Sequence, residues 1–253
     1  YNISMVNALG EIAVNRDPIG FRPLVWGKKD DDVFVASESN ALINLGINDY
    51  KDVDPGTMVY VGTDGNMEIK RYAKSKKIAK CMFEWIYFAN VSSVIDGKSV
   101  YITRRNLGKE LAKLETEKIT KDYIVVPVPD TSKPSAEALA FELGIPMMEG
   151  LIRNRYIGRT FIDGTSRDLM IKNKFTVIRE ILKDKKVILV DDSIVRGTTV
   201  KQIINFIKND GGAKEVHLRI TCPAIMAPCF YGIDMSTKSE LLAPHYVNAY
   251  CGE

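Results

Sequence analysis

The sequence predicts an α/β domain, with a parallel sheet and flanking helices, behind a β-rich N-terminal region. Two continuous apolar segments, residues 124–128 and 187–190, have the composition of strands buried on both faces. Each is followed by a helical pattern, and the second helix carries an apolar stripe at i, i+3, i+4 and i+7. The stripe consists of Val200, Ile203, Ile204 and Ile207. A strand–helix–strand order at this spacing is typical of a parallel βαβ unit.

The first 73 residues are predicted to be β-rich because short apolar runs alternate with turn residues. The runs are residues 3–6, 12–14, 33–36 and 58–61. Asp-Pro-Gly at 54–56 and Thr-Asp-Gly-Asn at 63–66 are clear turn signals. Because a strand opens at Tyr1 with no turn before it, we expect further sequence upstream.

The boundaries of the remaining elements are indicated by charged residues and by turn-forming residues. Residues 74–80 form a basic, solvated linker, to which we assign no ligand. The strand at 124–128 leads into a helix at 134–143, which Gly144 ends. The second helix stops at the Asp-Gly-Gly of 210–212, and a further strand begins at 216–220.

The composition excludes several classes of protein. The 253 residues are 45% hydrophobic and 26% charged, as in globular chains and unlike disordered or collagen-like ones. No apolar run approaches the ~18 residues that a membrane span needs, and no secretory leader pattern is visible. Thirty-five Lys and Arg against 32 Asp and Glu give a net charge of +3, too balanced for a nucleic-acid binder recognised by charge. We therefore expect no membrane and no nucleic-acid partner.

The four cysteines, Cys81, Cys222, Cys229 and Cys251, lie far apart in the sequence. Without a leader or a dense cysteine framework, we expect no disulfides and a reducing, cytoplasmic location. From spacing alone, buried free thiols are the simpler interpretation and a metal site is the alternative.

The most informative segment is residues 187–199, in which two carboxylates follow directly on a buried strand. Open α/β sheets bind ligands at that edge. A short loop with one glycine and several hydroxyls then opens into a helix, whose N-terminal N–H groups can cradle a phosphate. Asp191 and Asp192 are placed to hold vicinal sugar hydroxyls, together with Mg²⁺ through water. Sugar hydroxyls beside a 5′-phosphate describe a phosphoribosyl group.

The same residues have a purely structural interpretation, in which Asp191 and Asp192 are turn and capping residues and Thr198 is a helix N-cap. For an arbitrary Asp-Asp-Ser that interpretation is favoured. Here the strand, the acid pair, the Arg-Gly-Thr-Thr at 196–199 and an amphipathic helix follow one another, so the ligand site is favoured instead.

Residues 187–199 resemble the signature of type I phosphoribosyltransferases, which use phosphoribosyl pyrophosphate (PRPP). Other segments are similar to one family, glutamine PRPP amidotransferase (amidophosphoribosyltransferase). They are CMFEWIYFANVSS at 81–93, VPVPDTSKPSA at 126–136, IRNRYIGRTFI at 152–162 and PCFYGIDMST at 228–237. RDPIGFRPLVWG at 16–27 and VASESNAL at 35–42 resemble the latter part of that family's glutaminase domain. The resemblance covers nearly the whole chain.

The resemblance implies four parts. Residues 1–73 would be the C-terminal part of an N-terminal-nucleophile glutaminase domain, and 74–94 a linker with a cluster-ligand segment. Residues 95–237 would be the phosphoribosyltransferase domain, and 238–253 a truncated, cluster-bearing tail. The family's glutaminase uses an N-terminal cysteine as nucleophile. Tyr1 stands first here, so we expect the N-terminal part of that domain to be missing and no glutaminase catalytic residue in this chain.

By position, the resemblance assigns residues 130–133 to a pyrophosphate loop and residues 193–199 to a 5′-phosphate loop. The PRPP-binding residues it implies are Asp130, Thr131, Ser132, Lys174, Asp191, Asp192, Ser193, Arg196, Gly197, Thr198 and Thr199. It implies Mg²⁺ as a cofactor at Ser132, Asp191 and Asp192. Residues 163–175 correspond to a loop that closes over PRPP, with Lys172 where the family usually has Arg. The residues matching a path for ammonia are Asn154, Arg155, Tyr156, Gly158 and Arg159.

The resemblance also changes the interpretation of the cysteines. Cys81, Cys229 and Cys251 fall where iron–sulfur ligands occur in one branch of the family, with Cys251 as the first member of a C-x-x-C pair. We therefore expect a 4Fe-4S cluster, which normally takes four thiolates, and keep buried thiols as the alternative. Cys222 matches no ligand position and is expected to be a buried thiol.

The reaction implied is attack of glutamine-derived ammonia on C1 of PRPP, giving 5-phosphoribosylamine, pyrophosphate and glutamate, the first step of de novo purine (IMP) biosynthesis. The partners implied are PRPP, glutamine or ammonia, and further copies of the chain in a homo-oligomer, expected to be a tetramer. One alternative is a nucleobase salvage phosphoribosyltransferase, which would not need residues 1–73, Cys81 or Cys229. The other is a PRPP-binding regulator, which would need a DNA-binding element, and no basic recognition helix is evident.

Overall fold

A computed structural model describes residues 1–154, 174–231, 235 and 237–251, without the side chains of residues 248–251. The chain divides into two units, Tyr1–Thr103 and Arg104–Glu253. This places one boundary within the helix Val100–Lys113. The finer division into four parts stays a prediction.

The first unit is rich in β-structure, as predicted. Its strands are β1 Asn2–Val6, β2 Ile12–Arg16, β3 Val25–Lys29, β4 Asp32–Ala36, β5 Tyr50–Asp52, β6 Thr57–Val61, β7 Met67–Arg71, β8 Val94–Ile95 and β9 Lys98–Ser99. Antiparallel sheets form in the orders β1-β2-β6-β7 and β4-β3-β5, beside the β8-β9 pair. Helix α1 is Ser39–Asn44, and Glu84–Phe88 forms a π-helical turn. The four predicted strand segments lie in β1, β2, β4 and β6.

A buried arginine joins several loops of this unit. Arg16 is 1% exposed, and its two terminal nitrogens bond the two carboxylate oxygens of Asp96 at 2.8 and 3.0 Å. The same guanidinium donates to the carbonyl oxygens of Arg22 and Val53, both at 2.8 Å. A buried charge is tolerated when its partner and its hydrogen bonds are all present, and here they are.

The second unit contains the predicted parallel sheet. Its elements are α2 Val100–Lys113, β10 Tyr123–Pro127, α3 Lys133–Leu143, β11 Leu151–Arg153, β12 Phe175–Val177, α4 Arg179–Leu182, β13 Lys186–Asp191, α5 Thr198–Asn209, β14 Glu215–Ile220, a 3₁₀ turn at Lys238–Glu240, and α6 Leu242–Cys251. β13 lies between β10 and β14 and pairs parallel with both. β11 and β12 form a separate antiparallel pair. The expected α/β arrangement, a parallel sheet with flanking helices, is confirmed.

The core explains the continuous apolar strands. Val187 and Leu189 of β13 pack on one face of the sheet with Ile203 and Ile207 of α5. Ile188 and Val190 pack on the other face with α3 residues such as Leu139. Because both faces are covered, successive residues of β13 are all buried, and the sequence cannot alternate with polar residues. In the part of the chain described, no helix has the length and apolar character needed to cross a membrane.

Candidate functional site

The predicted site residues gather where the three parallel strands end. β10 is prolonged by a hydrogen bond from the N–H of Val128 to the carbonyl oxygen of Val190 (2.8 Å), and the loop at 129–132 follows. Asp191 ends β13, and Thr221 comes directly after β14. Parallel strands present their carboxyl ends at one edge, which is where open α/β sheets hold ligands.

The acid pair is fixed through its main chain by the end of β14. The N–H groups of Thr221 and Cys222 donate to the carbonyl oxygens of Asp191 (3.1 Å) and Asp192 (2.8 Å). The Thr221 hydroxyl also reaches the carbonyl oxygen of Asp192 at 3.2 Å. The Ser193 hydroxyl donates to the Asp192 carboxylate at 2.6 Å. The carboxylates are therefore held by backbone that two strands fix in place.

Burial makes both carboxylates costly to ionise in the absence of ligand. It raises the pKa of Asp191 to about 7, with a further contribution from the charge of Asp192. Burial also raises the pKa of Asp192, opposed by the Ser193 hydrogen bond and the charge of Arg104, which is 3% exposed on α2. A cation or a set of hydroxyl donors at this place would relieve the cost of holding the two charges.

The predicted 5′-phosphate loop leads into α5 through a glycine. Gly197 is the N-cap, with φ at +76°, a conformation that glycine adopts without steric cost. Thr198 is the first helical residue, so its interpretation as the N-cap is wrong. The first N–H groups of α5 have no acceptor within the helix, and the positive end of its dipole faces the same loop. This arrangement suits a phosphate.

The predicted pyrophosphate loop lies at the start of α3. Ser132 is the N-cap of α3, is 1% exposed, and has a hydroxyl oxygen with no hydrogen-bond partner in the described structure. Asp130 lies 3.6 Å from the Lys133 nitrogen and 3.7 Å from an Arg153 nitrogen. Lys133 also pairs with Glu149 at 2.6 Å, a hydrogen bond that raises the pKa of the lysine. Two cations and two carboxylates therefore lie together beside this loop.

The donor set fits Mg²⁺ held jointly by protein and substrate. Asp191, Asp192 and the unpartnered Ser132 hydroxyl supply oxygen atoms, which Mg²⁺ prefers. Within the described residues, no group of three or more His, Cys, Asp or Glu side chains could hold a metal alone. Mg²⁺ commonly uses only one or two carboxylates and completes its shell with substrate phosphates and water.

Lys174 is not joined to the acid pair by the described contacts. It is exposed, lies directly before β12, and accepts a hydrogen bond from the Asn154 N–H on its carbonyl oxygen at 2.8 Å. The predicted positions Arg155, Tyr156, Gly158, Arg159 and Lys172 lie outside the described residues. So does most of the segment 163–175.

The cysteines differ in what surrounds their sulfur atoms. Cys81 is buried, which raises its pKa, while the backbone N–H groups of Phe83 and Glu84 and the charge of Arg22 act in the opposite direction. The Tyr231 N–H reaches the sulfur of the half-buried Cys229 at 3.5 Å. Burial and the charge of Asp192 raise the pKa of Cys222 to about 11. Cys222 is a buried thiol, as predicted; the side chain of Cys251 lies outside the described residues.

Sequence reasoning missed several residues of this site. Arg104 on α2 and Arg153 at the end of β11 carry positive charge near Asp192 and Asp130. Glu240 binds Arg196, with its carboxylate oxygen 2.7 Å from a guanidinium nitrogen. The sequence signal available for Arg104 was its position as a charged residue within an amphipathic helix. Glu240 had none, because its role depends on a contact across 44 residues.

Comparisons with known proteins agree with this geometry. Residues 101–226 match the family model described as "Phosphoribosyl transferase domain". The chain is 47% identical over 230 residues to an amidophosphoribosyltransferase of Archaeoglobus fulgidus, covering 90% of this chain and 49% of that protein. It is 45% identical over 234 residues to one of Pyrococcus horikoshii, covering 92% and 50%. The chain belongs to the amidophosphoribosyltransferase family.

A solved amidophosphoribosyltransferase has a closely similar fold. The structure of glutamine PRPP amidotransferase from B. subtilis, complexed with ADP and GMP, superposes with a TM-score of 0.80 at 40% identity. The match covers 95% of this chain and 52% of that one. The chain thus spans about half the length of the amidophosphoribosyltransferases it matches, and the match includes both of its units.

Proposed function

We propose that the protein is an amidophosphoribosyltransferase, which transfers ammonia from glutamine to PRPP and yields 5-phosphoribosylamine, pyrophosphate and glutamate. This would be the first step of de novo purine biosynthesis. One observation carries the proposal: the acid pair at the end of β13 runs through a short loop into the N-terminus of α5. Sugar-hydroxyl acceptors and a phosphate cradle are therefore adjacent in this site.

Each part of PRPP has a complementary group. The loop at 193–199 would bind the 5′-phosphate, and Asp191 and Asp192 would accept hydrogen bonds from the ribose hydroxyls. The loop at 130–132, with the N–H groups of Thr131 and Ser132, would bind the pyrophosphate. Lys174 would add positive charge. Mg²⁺, held by Ser132, Asp191 and Asp192, would neutralise charge on the departing pyrophosphate.

The chemistry calls for positioning and charge stabilisation. As pyrophosphate leaves, positive charge spreads over C1 and the ring oxygen, and neutral ammonia forms the new bond to C1 without needing a strong base. The protein would therefore contribute by aligning C1 with ammonia and by stabilising the leaving group. Both histidines lie outside these loops: His217 bonds Glu215 within β14, and His245 bonds the Ser239 carbonyl oxygen.

Turnover separates this proposal from its alternatives. The protein is incubated with PRPP, Mg²⁺ and either ammonium chloride at high pH or a mixture of purine bases, and pyrophosphate is followed. Pyrophosphate release that depends on ammonia supports the proposal. Release that depends on a base would indicate a salvage enzyme instead, and PRPP binding without release would indicate a regulator.

We also propose a 4Fe-4S cluster, with Cys81, Cys229 and Cys251 as three of its four thiolates. The Tyr231 N–H that reaches the Cys229 sulfur supports it, as do the backbone N–H groups that oppose the raised pKa of Cys81, because such donors stabilise bound thiolate. Protein purified without oxygen should be brown, with roughly four irons per chain expected for a Cys₄ cluster. Cys81→Ser and Cys229→Ser should lose the colour, whereas the control Cys222→Ser should keep it. Colourless, iron-free protein would rule the cluster out.

A homotetrameric assembly and a cytoplasmic location stay predictions. Sedimentation of the purified protein would measure the first, and fractionation of the source cells the second.

A further inference from the structure

The segment Glu240, Leu241 and Leu242, here called the strap, contacts three consecutive residues of the 5′-phosphate loop. The N–H of Leu242 donates to the carbonyl oxygen of Val195 at 2.8 Å. One carboxylate oxygen of Glu240 accepts from Nε (3.2 Å) and Nη2 (2.7 Å) of Arg196. The strap thus holds the main chain of the loop at one residue and a side chain at the next.

The third contact is one of packing. A Cβ added at Gly197 would lie 3.1 and 3.3 Å from the two methyl carbons of Leu242, so the leucine covers the glycine closely. Leu241 between them is fully buried and anchors the strap to the unit. Gly197 is the N-cap of α5, so the strap rests on the point where the loop becomes the helix.

We propose that Glu240 and Leu242 are positioning residues for the 5′-phosphate of PRPP: they hold the loop 193–197 in its phosphate-binding conformation. This inference rests on the proposed function, because it assigns the phosphate of that substrate to this loop. N–H groups bind an anion best when their directions are already fixed, since ordering a loop on binding costs affinity. The strap supplies that order from a segment 44 residues away in the sequence.

The sign of the effect distinguishes positioning from plain electrostatics. A carboxylate beside an anion site repels the anion, so Glu240→Gln would tighten PRPP binding if charge alone mattered. If Glu240 instead orients Arg196 and the loop, the same change weakens binding. The two interpretations therefore predict opposite changes in the KM for PRPP.

The first test compares Glu240→Gln with a matched control, Glu110→Gln. Glu110 pairs with Lys113 on α2 at the same 2.7 Å, also at the protein surface. We expect Glu240→Gln to raise the KM for PRPP roughly 2- to 5-fold with kcat little changed, as suits a partly exposed ion pair. Glu110→Gln should match wild type. In an Arg196→Ala background, Glu240→Gln should have no further effect. A fall in KM, or no change, would overturn the role of Glu240.

The second test isolates the main-chain hydrogen bond. Leu242 is the first residue of α6, where proline is tolerated, and Leu241 before it has φ −79° and ψ 129°, as a residue preceding proline requires. Leu242→Pro therefore removes the N–H and the side chain, and Leu242→Ala removes only the side chain. We expect Leu242→Pro to bind ribose 5-phosphate about 2- to 10-fold more weakly than Leu242→Ala.

Calorimetric titration with ribose 5-phosphate and with PRPP distinguishes a failure of the positioning roles from a failure of the proposed function. Thermal melts accompany each variant, and Glu240→Gln stays informative even if a Leu242 variant does not fold. Equal affinities for wild type, Glu240→Gln and both Leu242 variants would contradict the positioning roles alone. A wild-type protein that binds neither ligand would contradict the proposed function, and the positioning roles with it.

Discussion

At the scale of single residues, some side chains of the site could be predicted from the sequence and others could not. Asp191 and Asp192 could be predicted because a continuous apolar strand ends at them and a glycine-containing loop follows. Arg104 and Arg153 could not, because their neighbours are set by how α2 and β11 pack in the second unit. The burial of Arg16 could not be predicted either, because no local sequence pattern indicates it.

The acid pair gives the most direct prediction. Asp191→Asn and Asp192→Asn should each lower kcat/KM for PRPP roughly 10- to 100-fold, since each removes a charged hydrogen-bond acceptor, and together they should abolish turnover. Thr199→Val should cost less because neighbouring N–H groups still hold the phosphate. Ammonia-dependent pyrophosphate release measures all of them, with Asp31→Asn in an exposed turn as the control. Wild-type turnover in the double variant would contradict the assignment of Asp191 and Asp192 to PRPP binding.

The raised pKa of Asp191 predicts a stability effect. With its pKa at about 7, the folded protein keeps a proton that the unfolded chain, with an ordinary pKa near ~3.9, has lost. The free energy of unfolding therefore falls as pH rises from about 4 through 7. Asp191→Asn should raise the melting temperature of the ligand-free protein at pH 8, by about 2–4 °C for each kcal/mol gained.

The difference between the two proteins should shrink as the pH is lowered toward 4, because the wild-type carboxyl is then protonated in both states. Thermal melts at pH 4.5, 6 and 8 measure it. An Asp191→Asn variant that melts below wild type at pH 8 would show that the buried carboxylate is stabilising.

At the scale of elements, patterns of burial decided what the sequence could predict. β10, β13 and β14 and the helices α3 and α5 were predicted because a two-sided core imposes continuous apolar strands and striped helices. β7 was not, since four of its five residues are exposed and three are charged. β5, β11 and β12 have only three residues each, too few to leave a local pattern.

One close approach between elements is testable. A Cβ at Gly108 of α2 would lie 2.1 Å from the carbonyl oxygen of Ser135, and the Ser135 hydroxyl donates to the Arg104 carbonyl oxygen at 2.8 Å. Gly108→Ala should therefore force α2 and α3 apart and lower stability by about 1–3 kcal/mol, despite the better helix propensity of alanine. It should also raise the KM for PRPP, because α3 carries Ser132.

Urea unfolding and PRPP kinetics measure both effects. Glu110→Ala, on the same helix and exposed, is the control. A stability unchanged in Gly108→Ala would mean that the two helices do not approach this closely in solution.

At the scale of the whole molecule, the near-neutral charge means that the proposed substrate PRPP would have to be bound by local groups. The chain carries +3 overall, while the groups proposed to bind phosphate are two loops, the N-terminus of α5 and a few cations at one edge of one sheet. The sequence predicted a β-rich unit followed by an α/β unit, and both are present. The exact boundary was not predictable, because it falls inside a continuous helix.

The 253-residue chain should use ammonia and not glutamine. A glutaminase of this family needs an activated thiolate, whereas burial raises the pKa of Cys81 and of Cys222. Pyrophosphate should therefore form with ammonium chloride, increasingly at higher pH, and no glutamate should form from glutamine. Robust glutamate release by this chain would show that one of its own residues serves as the nucleophile.

The strand order also has a kinetic consequence. Val187 pairs with Val216 across one helix, but Ile124 finds Val187 only after a much longer stretch of chain has been enclosed. Loop closure costs more entropy for the longer stretch, and pairings distant in sequence form late. The β13–α5–β14 unit should therefore acquire protection from hydrogen exchange first during refolding, with β10 joining afterwards. Pulse labelling would resolve the order, in which the half of the site that would hold ribose 5-phosphate is built before the half that would hold the leaving group.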